Sequence, residues 1–258
     1  MSNREISCRN LTIQFKRDQE PVLRDIDLKI PSNSVVLLYG GTGKGKTSLF
    51  NVLSGLNFSG ASGEIYWDGE LIQSSGNAHK LRPEYISLIY SHFYFLQSLD
   101  VKENILLPAV FAGKSKKEIN NRLNLLGEIF NFDDNITGEL NFYRKILYSR
   151  DMDKGINPGA RRLKRPNKIT SLSNGQKEIV NIARALILDT PFIFADELLR
   201  SYSDAEAEIV WRRLLDPRLG IKKNKTLFMI TRKDYFRKDP NVDLIYEITG
   251  QTVRVSQE

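Results

Sequence analysis

The eight residues GGTGKGKT, Gly40 to Thr47, fit the spacing G-x-x-x-x-G-K-[ST]. They follow an apolar run, VVLLY, and precede an amphipathic stretch, SLFNVLSGL. Strand, glycine loop and helix in that order are what a phosphate-binding loop requires. Glycines let backbone N–H groups curl around phosphate oxygens, and a helix N-terminus adds its positive end. Lys46 is then placed to reach β- and γ-phosphates, and Thr47 to ligate Mg²⁺. A second constellation is PFIFADE. Asp196, ending a buried strand, suits the Mg²⁺ shell, and Glu197 beside it suits a base that polarises an attacking water. A third is LSNGQ, Leu172 to Gln176, about 20 residues before the Asp-Glu pair. Ser173 and Gly175 at a helix N-terminus form an anion site of their own.

Those groups need elements to hold them. Leu11, Ile13 and Phe15 alternate, as do Ile26, Leu28 and Ile30, which predicts two half-buried strands. Asp68-Gly69 between EIYW and ELI predicts one hairpin, and Gly250 within LIYEITGQTVRVS another. VVLLY, SLIY, FIFA and LFMI are short unbroken apolar runs, the pattern of a sheet covered on both faces. Three capping boxes, Ser115/Glu118, Ser173/Gln176 and Ser203/Glu206, open helical patterns. Their apolar positions are Ile119, Leu123, Leu126 and Phe130, then Ile179, Ile182, Ala183 and Leu186, then Ile209 and Val210.

Composition excludes several classes. No stretch approaches 18 uninterrupted apolar residues, so no membrane helix is expected, and the polar N-terminus has no secretory apolar region. The single cysteine, Cys8, allows no intramolecular disulfide and no cysteine metal site, and a reducing cytosol fits. The two histidines, His79 and His92, argue against a histidine metal site. The net charge of +7 is local: residues 144–168 hold nine Lys/Arg and two Asp, and the rest of the chain balances. A global argument for nucleic-acid binding therefore reduces to one basic segment.

With phosphate loop, LSNGQ and FIFADE in this order, the chain is similar to ATP-binding-cassette (ABC) ATPases over essentially its whole length. The resemblance implies an α/β fold. It has a P-loop NTPase core with a mostly parallel sheet, an N-terminal antiparallel β subdomain and an inserted α-helical subdomain. The expected layout is a single domain over 1–258, with 1–90 and 190–258 forming the β subdomain and nucleotide core. The helical subdomain is then 91–189, including the basic insertion at 144–168. ATP and Mg²⁺ are the implied ligands, bound in a dimer in which one subunit's signature caps the γ-phosphate held by the other. The implied nucleotide set is Phe15, Gly40, Gly41, Thr42, Gly43, Lys44, Gly45, Lys46, Thr47, Ser48, Ser173, Gly175 and Gln176. The metal set is Thr47 and Asp196. Phe15 sits where the family often stacks an aromatic on adenine, and a core aromatic is the alternative. VKEN, LP and GKSKKE, between Val101 and Glu118, resemble the group of lipoprotein-release and macrolide-export ATPases.

Three positions depart from that pattern. Counting back from Glu103-Asn104 places Ser91 where the family carries a glutamine that touches Mg²⁺ and the lytic water. Serine is too short for that reach, and Gln97 lies six residues further on. After Asp196-Glu197 the usual SALD-like turn reads LLRSYSD, with its aspartate one position late at Asp204. TLFMITRKD aligns with the strand that ends in the family's switch histidine, and Arg232 takes that place. A guanidinium can clamp a γ-phosphate but cannot act as a neutral acceptor for water; pointing to solvent is the other reading.

The expectation is the ATP-binding subunit of a transport or envelope-remodelling complex. It would be cytoplasmic, peripheral on the inner face of the cytoplasmic membrane, and joined to an integral membrane subunit. Its own site is expected to hydrolyse slowly, through Glu197 with Arg232 and Ser91 in substituted roles. LSNGQ would serve a second cassette chain, with a heterodimer favoured over a homodimer. Segment 144–168 is open to contact with anionic lipid, with an acidic loop of a membrane subunit or with nucleic acid, or to being a solvated loop. Few aromatics interleave its charge, which argues against nucleic acid as a partner. The alternatives are a soluble ATPase acting on nucleic acid or ribosomes, and a non-hydrolysing ATP-gated module.

Overall fold

The computed structural model describes residues 4–16, 18–72, 75–130, 148–149, 165–166 and 168–256. It divides into two compact units, Met1–Ser91 with Asp189–Glu258, and His92–Leu188. Ser91 and Asp189 are tied into the first unit. Ser91 Oγ donates to Asp196 Oδ2 at 2.9 Å, and Lys225 Nζ lies 2.6 Å from Asp189 Oδ1.

Elements are numbered along the chain. In the first unit β1 (Ile6–Ile13), β2 (Leu23–Ile30), β4 (Ala61–Trp67) and β5 (Glu70–Leu71) form an antiparallel sheet ordered β2-β1-β4-β5. Ile26, Leu28 and Ile30 are buried, the inward face that the alternation predicts, and Leu23 is buried beyond a register shift. Asp68 (φ 56°) and Gly69 (φ 82°) make the tight turn between β4 and β5. A six-stranded sheet is ordered β12 (Thr252–Val255), β11 (Leu244–Thr249), β3 (Val35–Tyr39), β10 (Thr226–Ile230), β9 (Phe192–Ala195), β6 (Ile86–Ile89). All its pairs are parallel except the β11–β12 hairpin at Gly250. Every residue of β9 and β10 is buried, as expected of a strand covered on both faces.

Helix α1 (Lys46–Leu53) follows β3 and buries Leu49, Phe50, Val52 and Leu53. Phe50 packs edge-on to Phe194 of β9 at 5.6 Å, and Phe194 meets Phe228 of β10 at 4.9 Å. Helix α2 (Ser75–Tyr85), with Pro83 inside it, has no apolar period strong enough to predict. In the second unit lie α3 (Val101–Phe111), α4 (Lys116–Ile129), the short pair β7 (Tyr148–Ser149) and β8 (Arg165–Pro166), and α5 (Asn174–Leu186). Helix α6 (Asp204–Leu214) belongs to the first unit. The three expected capping boxes are all formed. A fourth, Asp100/Glu103, opens α3. Buried Asn104 donates to the carbonyls of Leu96, Leu99 and Asp100, and so pins the turn before that helix. Ile209 is exposed, so the apolar stripe of α6 runs through Ala207, Val210, Trp211 and Leu214, the i, i+3, i+4, i+7 face. The basic segment 144–168, apart from β7, β8 and Lys168, lies outside the described residues.

Cys8 is buried in β1, and burial pushes its thiol up to about 12. Reactivity belongs to the thiolate. Native chain is therefore expected to react with a thiol reagent such as DTNB at least 100-fold more slowly than chain unfolded in guanidinium, on the order set by the lost thiolate fraction. Equal rates at pH 8 would show that β1 opens or that Cys8 is not enclosed.

Candidate nucleotide site

Four neighbouring strands aim their carboxyl ends at one place. Register pairs Leu38 with Ile230, Ala195 with Met229, and Ala195 with Ile89. Chain leaving β3 therefore begins the glycine loop at the level where β10 delivers Arg232, β9 delivers Asp196-Glu197 and β6 delivers Ser91. In open α/β sheets that edge is where ligands bind.

The loop is built for close backbone approach. Gly45, at the N-cap of α1, has φ 92°, and an added Cβ would lie 2.7 Å from Val22 Cγ1, so both backbone and space demand glycine. Having no side chain, Gly45 does not cap the first-turn N–H groups of α1. Lys46 Nζ donates to Gly40 O at 2.6 Å and Gly41 O at 2.7 Å. Burial, and then Arg232, hold its ammonium below the ordinary lysine value, while Glu197 and Asp196 oppose them. Lys46 thus shares its electrostatic surroundings with all three residues from β9 and β10. Thr47 is exposed at the start of α1. An ammonium, a helix-terminal hydroxyl, a carboxylate and a glycine loop form a donor set that fits a magnesium–nucleotide.

Both acidic residues are held. The Asp196 backbone N–H donates to Ile89 O at 2.8 Å, and its carboxylate accepts from Ser91. Ser91, in the expected glutamine position, thus orients Asp196. Glu197 carries two ion pairs, Oε1 to Arg232 Nη2 at 2.6 Å and Oε2 to Arg200 Nη1 at 3.1 Å. Arg232 therefore meets a carboxylate. Glu197 (φ 52°) and Leu199 (φ 61°) sit in the left-handed region, where a residue other than glycine costs of order 1–3 kcal/mol, a strain that clusters at functional segments. Leu198 N donates to Ile230 O at 3.1 Å and fixes that turn to the end of β10. Asp204, the late aspartate, is the first residue of α6 and lies 2.6 Å from Lys233 Nζ.

Phe15, beyond the end of β1, is 56% exposed, which removes the core-aromatic alternative. Ser173, Gly175 and Gln176 belong to the second unit. There the Gln176 N–H donates to Ser173 Oγ at 3.2 Å, and Gln176 Oε1 accepts from the Ser173 N–H at 2.7 Å. Sequence reasoning assigns no role to Arg200 or Lys233. Their signal was the cation count around the acidic pair, in LLRSYSD and TRKD.

Residues 23–200 match the family described as ABC transporter. This chain belongs to that family. The lipoprotein-releasing system ATP-binding protein LolD of Buchnera aphidicola subsp. Schizaphis graminum is 28% identical over 241 residues, covering 91% of each chain. The macrolide export ATP-binding/permease protein MacB of Neisseria meningitidis is 32% identical over 196 residues. That match covers 74% of this chain and 26% of MacB, so the likeness there is to part of a longer protein. Among solved structures, the ATP-binding cassette MJ0796 in a dimeric post-hydrolysis state with ADP and Pi matches with TM-score 0.74 and 21% identity, over 98% of both chains. An ABC cassette fold, with the antiparallel sheet beside a mostly parallel one, is thereby established. The lipoprotein-release and macrolide-export names agree with the pattern in VKEN, LP and GKSKKE.

Proposed function

We propose that this chain is the ATP-binding subunit of a transport or envelope-remodelling complex. It binds ATP at a dimer interface and couples that binding to a separate membrane subunit. The observation that carries the reading is the meeting of Lys46, Asp196, Glu197 and Arg232 at the carboxyl edge of adjacent parallel strands. Loop amides and Lys46 bind the phosphates. Thr47 and Asp196 would hold Mg²⁺, which would supply neutralisation of the phosphate charge. Glu197 orients the water, and its two guanidinium partners support slow turnover at this chain's own site.

LSNGQ then serves a second, more competent cassette in a heterodimer. A membrane partner is supported by the likeness to LolD, the ATP-binding protein of a lipoprotein-releasing system. The outward apolar side chains Val110 and Phe111 at the end of α3 support it too. The chain would lie on the inner face of the cytoplasmic membrane. Segment 144–168 would add contact with anionic headgroups, at about 1 kcal/mol per basic residue near the surface.

Steady-state ATPase of the full chain, alone and with co-purified partners, beside Lys46→Ala and Glu197→Gln, tests the reading. The expected result is turnover well under ordinary enzyme rates of roughly 1 per second for the chain alone, a rise with partners, and loss in both variants. Fast turnover alone would support a homodimer. ATP binding without turnover under any condition would support a non-hydrolysing module.

A further inference from the structure

We propose that Arg200 is a positioning residue that works with Arg232 to clamp the Glu197 carboxylate, so that this site is restrained from within the chain. The proposal rests on the ATP-site reading above.

Its basis is the pairing of both carboxylate oxygens. Oε1 is held by Arg232 and Oε2 by Arg200, each through a permanently charged guanidinium. Charge-assisted bonds of this kind are roughly twice as strong as neutral ones. A carboxylate held by one fork can still swing towards a water. Held from both sides, it has to break an ion pair before it can turn. Burial agrees: the Glu197 side chain is 16% exposed, against 44% for the Arg200 side chain and 66% for that of Arg232. Local backbone makes the second contact possible. Left-handed residues at Glu197 and Leu199 fold the chain back, and the Leu198–Ile230 hydrogen bond fixes the turn, so Arg200 returns to the carboxylate three residues before it.

The two arginines are not equivalent. Arg232 follows β10, beside the phosphate loop, within electrostatic reach of Lys46. A γ-phosphate held by that loop competes with Glu197 for Arg232. Arg200 faces the other oxygen and keeps its hold. Replacing Arg232 alone therefore releases half of the clamp, and Arg200 is the half that ATP does not remove.

The test uses the full-length chain without its partners, whose own site would mask this one, and measures kcat, KM and equilibrium ATP binding for the native chain, R200Q, R200K, R200Q/E197Q, R232H and R200Q/R232H. R200Q is expected to raise kcat roughly tenfold, a modest share of what a free general base contributes, with KM and ATP affinity little changed. R200K, which keeps the charge, should return the rate to near that of the native chain. The gain should vanish in R200Q/E197Q. R200Q/R232H should exceed R232H. A kcat for R200Q at or below the native value, with ATP binding intact, overturns the clamp, as does R200K turning over as fast as R200Q. If the native chain shows no ATP binding that Lys46→Ala removes, the ATP-site reading falls, and the clamp falls with it.

Discussion

Lys46→Ala is expected to weaken ATP binding about 100-fold or more, the equivalent of roughly 3 kcal/mol, because a partly buried cation facing phosphate charge is lost. Among the described residues Lys46 bonds the carbonyls of Gly40 and Gly41 within its own loop, so its removal should leave the melting temperature little changed. Calorimetric titration with ATP, beside a thermal melt, checks both halves. Native affinity in the variant would move the nucleotide off this loop altogether. The pH dependence carries a sign. Burial and Arg232 lower the ammonium's proton affinity in the ligand-free chain. Raising the pH therefore discharges Lys46 sooner than an ordinary lysine, and ATP binding should weaken on the alkaline side. Lys46→Arg, charged throughout, should flatten that limb. An unchanged limb would mean that some other group sets it.

Phe194→Ala is the substitution expected to cost most in stability. Phe194 is fully buried between Phe50 of α1 and Phe228 of β10. Truncating such a ring leaves a cavity and forfeits about 3–5 kcal/mol. For a chain of this size the melting temperature should fall by on the order of 10 °C. The ring joins the helix behind the phosphate loop to the strands that deliver Asp196 and Arg232, so ATP affinity should fall with stability. Phe194→Leu, which refills most of the volume, should recover much of both. A loss of under about 1 kcal/mol in chemical denaturation would show that the three rings are not tightly packed.

Much of the site was legible because its chemistry is local. A glycine loop needs Gly45 and Lys46 at fixed spacing, and a capped helix needs Ser173 and Gln176 three apart. Such short-range rules are written along the chain. The buried strands were legible for the same reason, since VVLLY, FIFA and LFMI have no polar side to expose. Helix α2 was not, because Pro83 and a mostly polar surface leave no period to read. Two adjacent apolar residues, Ile209 and Val210, do not say which belongs to the stripe, and the fold buries Val210.

What Arg232 touches was beyond the sequence. Its position after a buried strand could be read directly, and so could the acidic pair after FIFA. Nothing along the chain stated that β10 lies between β3 and β9, which sets Arg232 beside Glu197. Nor did it state that left-handed residues at Glu197 and Leu199 turn Arg200 back onto the same carboxylate. By itself the sequence determined which groups exist and which ligand they suit, because those follow from residue type and spacing. Tertiary structure alone decided which charges pair, because strand order brings Arg232 across the sheet to Glu197 and left-handed backbone angles turn nearby Arg200 back onto it.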